Sequence, residues 1–359
     1  MFKFLSLNKK NNPDLFIFLP IVFLIIIGIF GIFSISIRID GKYDLLIKKH
    51  LIFCFVGIII IFYFSKISIK NLIFSSMILF TIAFILSIAT IFFFPETKGA
   101  SRWIKLFNFS LQPTEILKPS FVILSSLLLG RYNSKRDFSF LLNIILFGLI
   151  SLILLSQPDF GMFILFFCVW ILQVLNSNLE KKIIFPILGL FFLTFILSYL
   201  FIDHVRFRID NFLFPNIGDN YQISKSLESF ANGGLFGQGI GNGTVSKNLP
   251  DAHSDFIYAL IGEELGFITA FSILIFYIII YIRIYIVSKI TKNLFILNSL
   301  TGLGNILIFQ TIINISSSLN LLPTKGMTLP FISYGGSSII SSSLVVGFIL
   351  TLIKNAKNQ

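Results

Sequence analysis

Two carboxylates, an imidazole and a hydroxyl crowd into the stretch Leu249-Pro250-Asp251-Ala252-His253-Ser254-Asp255-Phe256, directly ahead of an apolar helix that carries Glu263 and Glu264. Such a carboxylate has two readings. Ser254 and Asp255 at a helix start can cap its free N–H groups and complement the helix dipole. Alternatively, Asp255, ionised at neutral pH at a membrane surface, can take a proton from a substrate hydroxyl as general base, with His253 beside it. A Ser-His-Asp triad is a poor alternative, because consecutive side chains diverge and no nucleophile elbow surrounds them. Three histidines without ligand spacing argue against a zinc site.

Three other polar segments interrupt the apolar background. Lys98-Gly99-Ala100-Ser101-Arg102-Trp103-Ile104 precedes Gln112-Pro113-Thr114-Glu115, with Lys118 one turn further on. Cations beside Trp and Phe suit either an interfacial anchor or a site for an anionic headgroup such as a pyrophosphate, where arginine offers a bidentate fork. Thr114 can cap the helix that follows, and Glu115 and Lys118 can pair on one face of it, as a structural ion pair or as a substrate contact. Gln157-Pro158-Asp159-Phe160-Gly161 reads as a tight turn whose Asp159 can face Arg102 or Lys118 across a cleft. Pro323-Thr324-Lys325-Gly326-Met327-Thr328-Leu329-Pro330 runs on to Tyr334-Gly335-Gly336-Ser337-Ser338, and this much Pro, Gly and hydroxyl at membrane depth predicts non-helical backbone lining a cavity. Asp203, His204, Arg206, Arg208 and Asp210 open the longest polar segment, which continues through Gly233, Gly234, Gly237, Gly239, Gly241 and Gly243 and ends in the Leu249–Phe256 stretch. Their irregular spacing, with no strand before them, does not fit a nucleotide-phosphate loop and suggests close packing against other backbone or a ligand.

The elements that must hold these residues are membrane helices. Of the 359 residues, 55% are hydrophobic and 12% charged, against about 25% charged in soluble domains. Apolar runs long enough to span a bilayer fall at 15–37, 47–65, 71–94, 114–130, 139–156, 160–176, 182–202, 256–288, 294–320 and 334–353. The sequence therefore predicts an all-α membrane protein of about ten spans forming a single membrane domain over 1–359, with 203–255 as an extracytoplasmic loop between the seventh and eighth. Lys and Arg concentrate on the side of the N-terminus, at Lys9, Lys10, Lys66, Lys70, Arg131, Lys181, Lys182, Arg283 and Lys289. By the positive-inside rule both termini are cytoplasmic and the four polar segments face outward, although Lys42, Lys48 and Lys49 run against it. The net charge of +12 needs no nucleic acid, since cationic loops beside an anionic leaflet account for it. Cys54 and Cys168 lie inside apolar runs and support neither a disulfide framework nor a metal site.

Taken together and in this order, the Lys98–Ile104 segment, Gln112 to Lys118, Gln157 to Gly161, the Gly-rich loop, Leu249 to Phe256 with Gly262-Glu263-Glu264-Leu265-Gly266, and the final stretch to Ser338 resemble the SEDS family, which includes FtsW, RodA and their sporulation relatives. The form from Pro323 to Gly336 is more similar to the division branch, FtsW, than to the elongation branch, RodA. The resemblance implies a peptidoglycan glycosyltransferase that polymerises lipid II, with Asp255 as the base that activates the acceptor 4-hydroxyl. It further implies Lys98, Arg102, Lys118 and Lys325 against pyrophosphate, with Gln112, Glu115, Asp159, His253 and Ser337 in the substrate site. It implies a divalent cation, Mg or Mn, and no organic cofactor. Its partners would be a class B penicillin-binding protein, division-complex membrane proteins and membrane lipids, at the septal inner membrane. A flippase for the same lipid is the rival from another class; a non-catalytic scaffold fits the clustered polar groups least well.

Overall fold

Backbone N–H and C=O groups have no water to bond inside a bilayer, so apolar runs of this length become helices. In the computed structural model, which describes residues 14–38, 44–96, 100–106, 109–131, 138–214, 221–324 and 326–357, the helices are α1 (Leu15–Arg38), α2 (Asp44–Lys66), α3 (Ile69–Phe93), α4 (Pro113–Arg131), α5 (Ser139–Ser156), α6 (Phe160–Leu175) and α7 (Ile184–Phe201). They continue with α8 (Asp203–Leu213), α9 (Tyr221–Gly233), α10 (Ile257–Glu264), α11 (Gly266–Ile290), α12 (Leu294–Ser318) and α13 (Gly336–Ala356). Strands β1 (Ile104–Leu106) and β2 (Phe109–Leu111) pair antiparallel between α3 and α4, with Ile104 opposite Leu111. Among the described residues, eight helices (α1, α2, α3, α5, α7, α11, α12 and α13) are long and apolar enough to cross a membrane. The helix α6 has only 16 residues, and α4 carries Glu115, Lys118 and Arg131. This is an all-α, multi-pass membrane fold.

Burial ranks the helices. Of the apolar window of α13, 94% is buried, against 6% for α7, so α13 is the hub and α7 faces lipid. Small residues let α13 approach α2: a Cβ added at Gly347 would stand 2.7 Å from Phe64 Cβ, and one at Gly57 2.5 Å from Ser343 Oγ. Without water to drive helices together, such close backbone approach supplies the packing.

Charge buried at the end opposite the polar segments is paired. Arg283 on α11 donates from Nη2 at 2.8 Å and from Nε at 3.0 Å to Asp14 Oδ2, and Lys357 Nζ adds a third contact at 3.2 Å. This clasp ties the start of α1 to α11 and to the end of α13. Replacing Asp14 by Asn removes the charge that both cations need, and is expected to cost about 1–3 kcal/mol of stability. A lowered thermal midpoint of detergent-purified protein checks this, and an unchanged midpoint would reduce the clasp to a bystander.

Two local features differ from the sequence expectations, and a third bears one out. Residues 203–255 are not an open loop but hold α8, α9 and a 3-10 turn at Ser246–Asn248. The period explains α8: Val205, Arg208 and Ile209 share one face, while Phe207 on another is 58% exposed. The run 256–288 is broken after Glu264, where Gly266 has φ +80°. The glycine series is part of that break, because Gln238 N and Gly239 N donate to the Glu263 and Glu264 carbonyls at 2.9 and 3.0 Å. A Cβ on Gly237 would lie 2.1 Å from the Glu264 carbonyl oxygen, so backbone meets backbone there.

Candidate functional site

Asp255 sits on a tight turn and not at a helix cap. Its N–H donates to Asp251 O at 3.1 Å, and α10 starts two residues later with Phe256 as N-cap and no side-chain capping bond. The capping account of Ser254 and Asp255 is therefore overturned: the turn 251–256 leaves the helix start to Phe256. What fixes the turn comes from far along the chain. The carbonyl of His253 accepts from Tyr334 N at 2.8 Å, that of Ser254 from Ser333 Oγ, and that of Asp255 from Asn314 Nδ2 at 3.0 Å. Three successive carbonyls are thus pinned to α12 and to the loop that follows it. The Asp255 carboxylate stands beside that loop at Gly326, whose φ is +67° and where a Cβ would lie 3.1 Å from Oδ2.

Facing this turn is the hairpin and the start of α4. Arg102 Nη2 donates to Pro158 O at 3.0 Å, and Nη1 lies 3.5 Å from Asp159 Oδ1, so Asp159 meets Arg102 as one of the two partners its sequence allowed. Asp159 also caps α6 through Met162 N at 3.3 Å and accepts from Gln112 Nε2 at 3.3 Å. Gln112 N–H in turn donates to Ser337 Oγ at 2.9 Å, tying the hairpin to the first turn of α13. Thr114 does not cap α4, because the helix begins at Pro113 and Thr114 Oγ1 is buried with no hydrogen-bond partner. Glu115 and Lys118 form the expected pair, at 2.6 Å.

These groups converge on a cavity of about 540 Å³. Arg102, Gln112, Glu115, Asp159, His253, Asp255 and Ser337 line it. Lys118 does not; it lies buried behind Glu115 and donates to Gln310 Oε1 at 2.8 Å. Lys98 and Lys325 fall outside the described residues. The cavity also takes in Lys49 and Phe53 from α2, Trp103, Lys105 and, from α8, Arg208. Arg208 was not among the expected site residues, although its one-face pattern with Val205 and Ile209 carries the signal. Burial and the neighbouring Arg102 pull the Arg208 guanidinium below its ordinary pKa, while Asp159 and Asp255 act in the opposite sense. Arginine remains charged under such a shift.

A second, largely apolar cavity of about 360 Å³ shares Arg102, Asp159 and Arg208 with the first, and its remaining wall includes Phe160, Ile164, Phe195, Val205, Ile209 and Ile313. Two guanidinium groups therefore stand where a polar space meets an apolar one. The frame around the Asp255 turn is held by Glu263, whose carboxylate accepts from Thr244 N, Val245 N and Ser246 N at 2.9, 2.9 and 2.7 Å and from Asn232 Nδ2 at 2.7 Å. Among the described residues no group of three or more His, Cys, Asp or Glu is arranged to hold a metal ion.

In chemical terms the arrangement offers one half-buried carboxylate on a rigid turn, a cationic pair across from it, and an apolar chamber behind the cations. A proton acceptor and an anion site lining one cavity suit displacement of an anionic leaving group by a hydroxyl.

Comparison with known proteins places the chain as a whole in a family. The family model for FtsW, RodA and SpoVE, described as "Cell cycle protein", matches residues 14–358. A protein of Buchnera aphidicola subsp. Acyrthosiphon pisum, "Probable peptidoglycan glycosyltransferase FtsW", is 34% identical over 91% of this chain and 85% of its own. One of the same name from Wigglesworthia glossinidia brevipalpis is 32% identical over 96% of this chain and 95% of its own. Among solved structures, a chain described under "Structural coordination of polymerization and crosslinking by a peptidoglycan synthase complex" superposes with a TM-score of 0.78 at 21% identity, covering 97% of this chain and 100% of that one. Thermus thermophilus RodA superposes with a TM-score of 0.72 at 22% identity, covering 97% and 99%.

Proposed function

This chain belongs to the FtsW, RodA and SpoVE family of cell cycle proteins, and from that membership and the geometry of the cavity we propose that it is a peptidoglycan glycosyltransferase that polymerises lipid II. The observation that carries the reading is the position of Asp255: on a turn pinned at three carbonyls, in a cavity that Arg102 and Arg208 share with an apolar chamber. Lipid II is a disaccharide-pentapeptide on an undecaprenyl pyrophosphate carrier, so one molecule presents a sugar, a doubly charged bridge and an apolar chain in that order. The two spaces and the cations between them follow the same order.

In the reaction the Asp255 carboxylate accepts the proton of the acceptor 4-hydroxyl as its oxygen attacks the sugar carbon bearing the pyrophosphate. The carbon–oxygen bond to the pyrophosphate breaks, and the leaving group departs with that electron pair. Arg102 and Arg208 neutralise the charge that develops on it. One base and a leaving group that needs no acid fit an inverting displacement. A divalent cation would enter this reading as a counter-ion to the pyrophosphate, in line with the family resemblance. Glu115, Gln112, Asp159, His253 and Ser337 shape the substrate cavity.

Taking the ten apolar runs of the sequence as spans puts both termini in the cytoplasm and opens the cavity to the periplasm. The form of the Pro323–Gly336 stretch supports the division branch and so a role at the septum, beside a class B penicillin-binding protein as transpeptidase and other division-complex membrane proteins. Proteoliposomes carrying labelled lipid II separate this from a flippase. The reading predicts polymer formed from lipid II on the cavity side, with no transfer between leaflets; transfer without polymer would overturn it.

A further inference from the structure

Two buried amides on one face of α12 hold the site without lining it. Asn314 and Gln310 are one helical turn apart. Asn314 Nδ2 donates to two carbonyls, that of Asp255 at 3.0 Å and that of Met327. Both hydrogens of a single amide nitrogen are thereby used, one on the turn of the proposed base and one on the last loop. Gln310 repeats the pattern one turn away. Its Nε2 donates to Thr328 O at 3.0 Å, and its Oε1 accepts from Lys118 Nζ at 2.8 Å. Thr328 Oγ1 passes the contact on to Ser338 Oγ at 2.7 Å. Neither amide borders the cavity.

We infer that Asn314 is the positioning residue for Asp255, setting the carboxylate's distance from the last loop, and that Gln310, braced by Lys118, holds that loop in register. This rests on Asp255 being the base. A short neutral side chain with two N–H donors on one nitrogen is what an amide supplies. A hydroxyl at 314 has one proton to give and a carboxylate none when ionised, so neither can join two carbonyls. A base displaced by about 1 Å from its near-attack position loses rate without losing substrate affinity. Lys118 then acts through Gln310, consistent with its burial behind Glu115.

The test is a split between turnover and binding in Asn314→Leu, a near-isosteric change that removes both donors. Initial rates of polymerisation against lipid II concentration, and lipid II binding to the same purified protein, are measured beside wild type and Asp255→Asn. The inference predicts kcat lower by about ten- to a hundredfold, with the dissociation constant for lipid II within about twofold. Turnover within twofold of wild type, or binding weakened as much as turnover, overturns it. If Asn314→Leu does not fold, Asn314→Ser carries the same test with a smaller loss, since it keeps one donor. Wild-type activity in Asp255→Asn would instead fail the reading of the base itself, whatever Asn314 does.

Discussion

Asp255→Asn is expected to bind lipid II as wild type does and to polymerise almost none of it. The amide matches the carboxylate in size, and what fixes the turn is its backbone: the carbonyls of residues 253, 254 and 255 accept from Tyr334, Ser333 and Asn314. No helix cap is lost, because Phe256 and not Asp255 precedes α10. What disappears is the ability to take a proton. General-base catalysis contributes about 10²- to 10⁴-fold, so the rate of lipid II consumption should fall by that factor. The thermal midpoint and the dissociation constant for lipid II should stay close to wild type, and both are measurable on the purified protein. Weakened binding that accounted for the loss would make Asp255 a substrate contact.

The arginine pair should give the next largest effect, and a different one. Arg102→Ala and Arg208→Ala each remove a guanidinium from the junction of the two cavities. A charge-assisted contact is worth about 1.5–3 kcal/mol, so each single substitution should lower kcat/KM for lipid II by roughly ten- to a hundredfold. Part of this falls on KM, through ground-state binding of the pyrophosphate, and part on kcat, through charge that grows as the leaving group departs. Because both groups serve one anion, the double variant should lose less than the product of the single losses. Initial rates across a lipid II concentration series decide it. Arg102 also bonds Pro158 O and Asp159; Arg102→Lys, which keeps the charge but not the fork, separates anchoring from anion binding. An unchanged substrate dependence in all four variants would reduce the pair to scaffold.

How much of this was legible in the sequence depends on length scale. Helices such as α1 and α5 were readable because some twenty consecutive apolar residues leave no other structure for the backbone in lipid. The helices α8 and α9 were not, since short amphipathic segments next to a glycine series look like loop until the face they bury is known. The site divides in the same way. Arg102, Glu115, Asp159 and Asp255 stood out as charges against an apolar background, and they line one cavity. Asn314 and Gln310 did not, because neutral amides inside α12 share the run with Asn298 and Asn305 and nothing local tells which of them reaches across to another segment. Lys118 shows the converse. Its charge allowed a structural pair with Glu115 or a substrate contact, and the family resemblance put it against pyrophosphate; it pairs with Glu115 and Gln310 and does not line the cavity. Charge in a span identifies a residue that matters; only packing tells whether it meets the substrate or holds the residue that does.

The most direct measurement is gel separation of the products formed from fluorescent lipid II by the purified wild-type chain and by Asp255→Asn, each alone and with a class B penicillin-binding protein. A ladder of glycan strands from wild type and none from Asp255→Asn is the predicted result. An equal ladder from both would contradict the account of Asp255, and no ladder from wild type under any condition would contradict the glycosyltransferase itself.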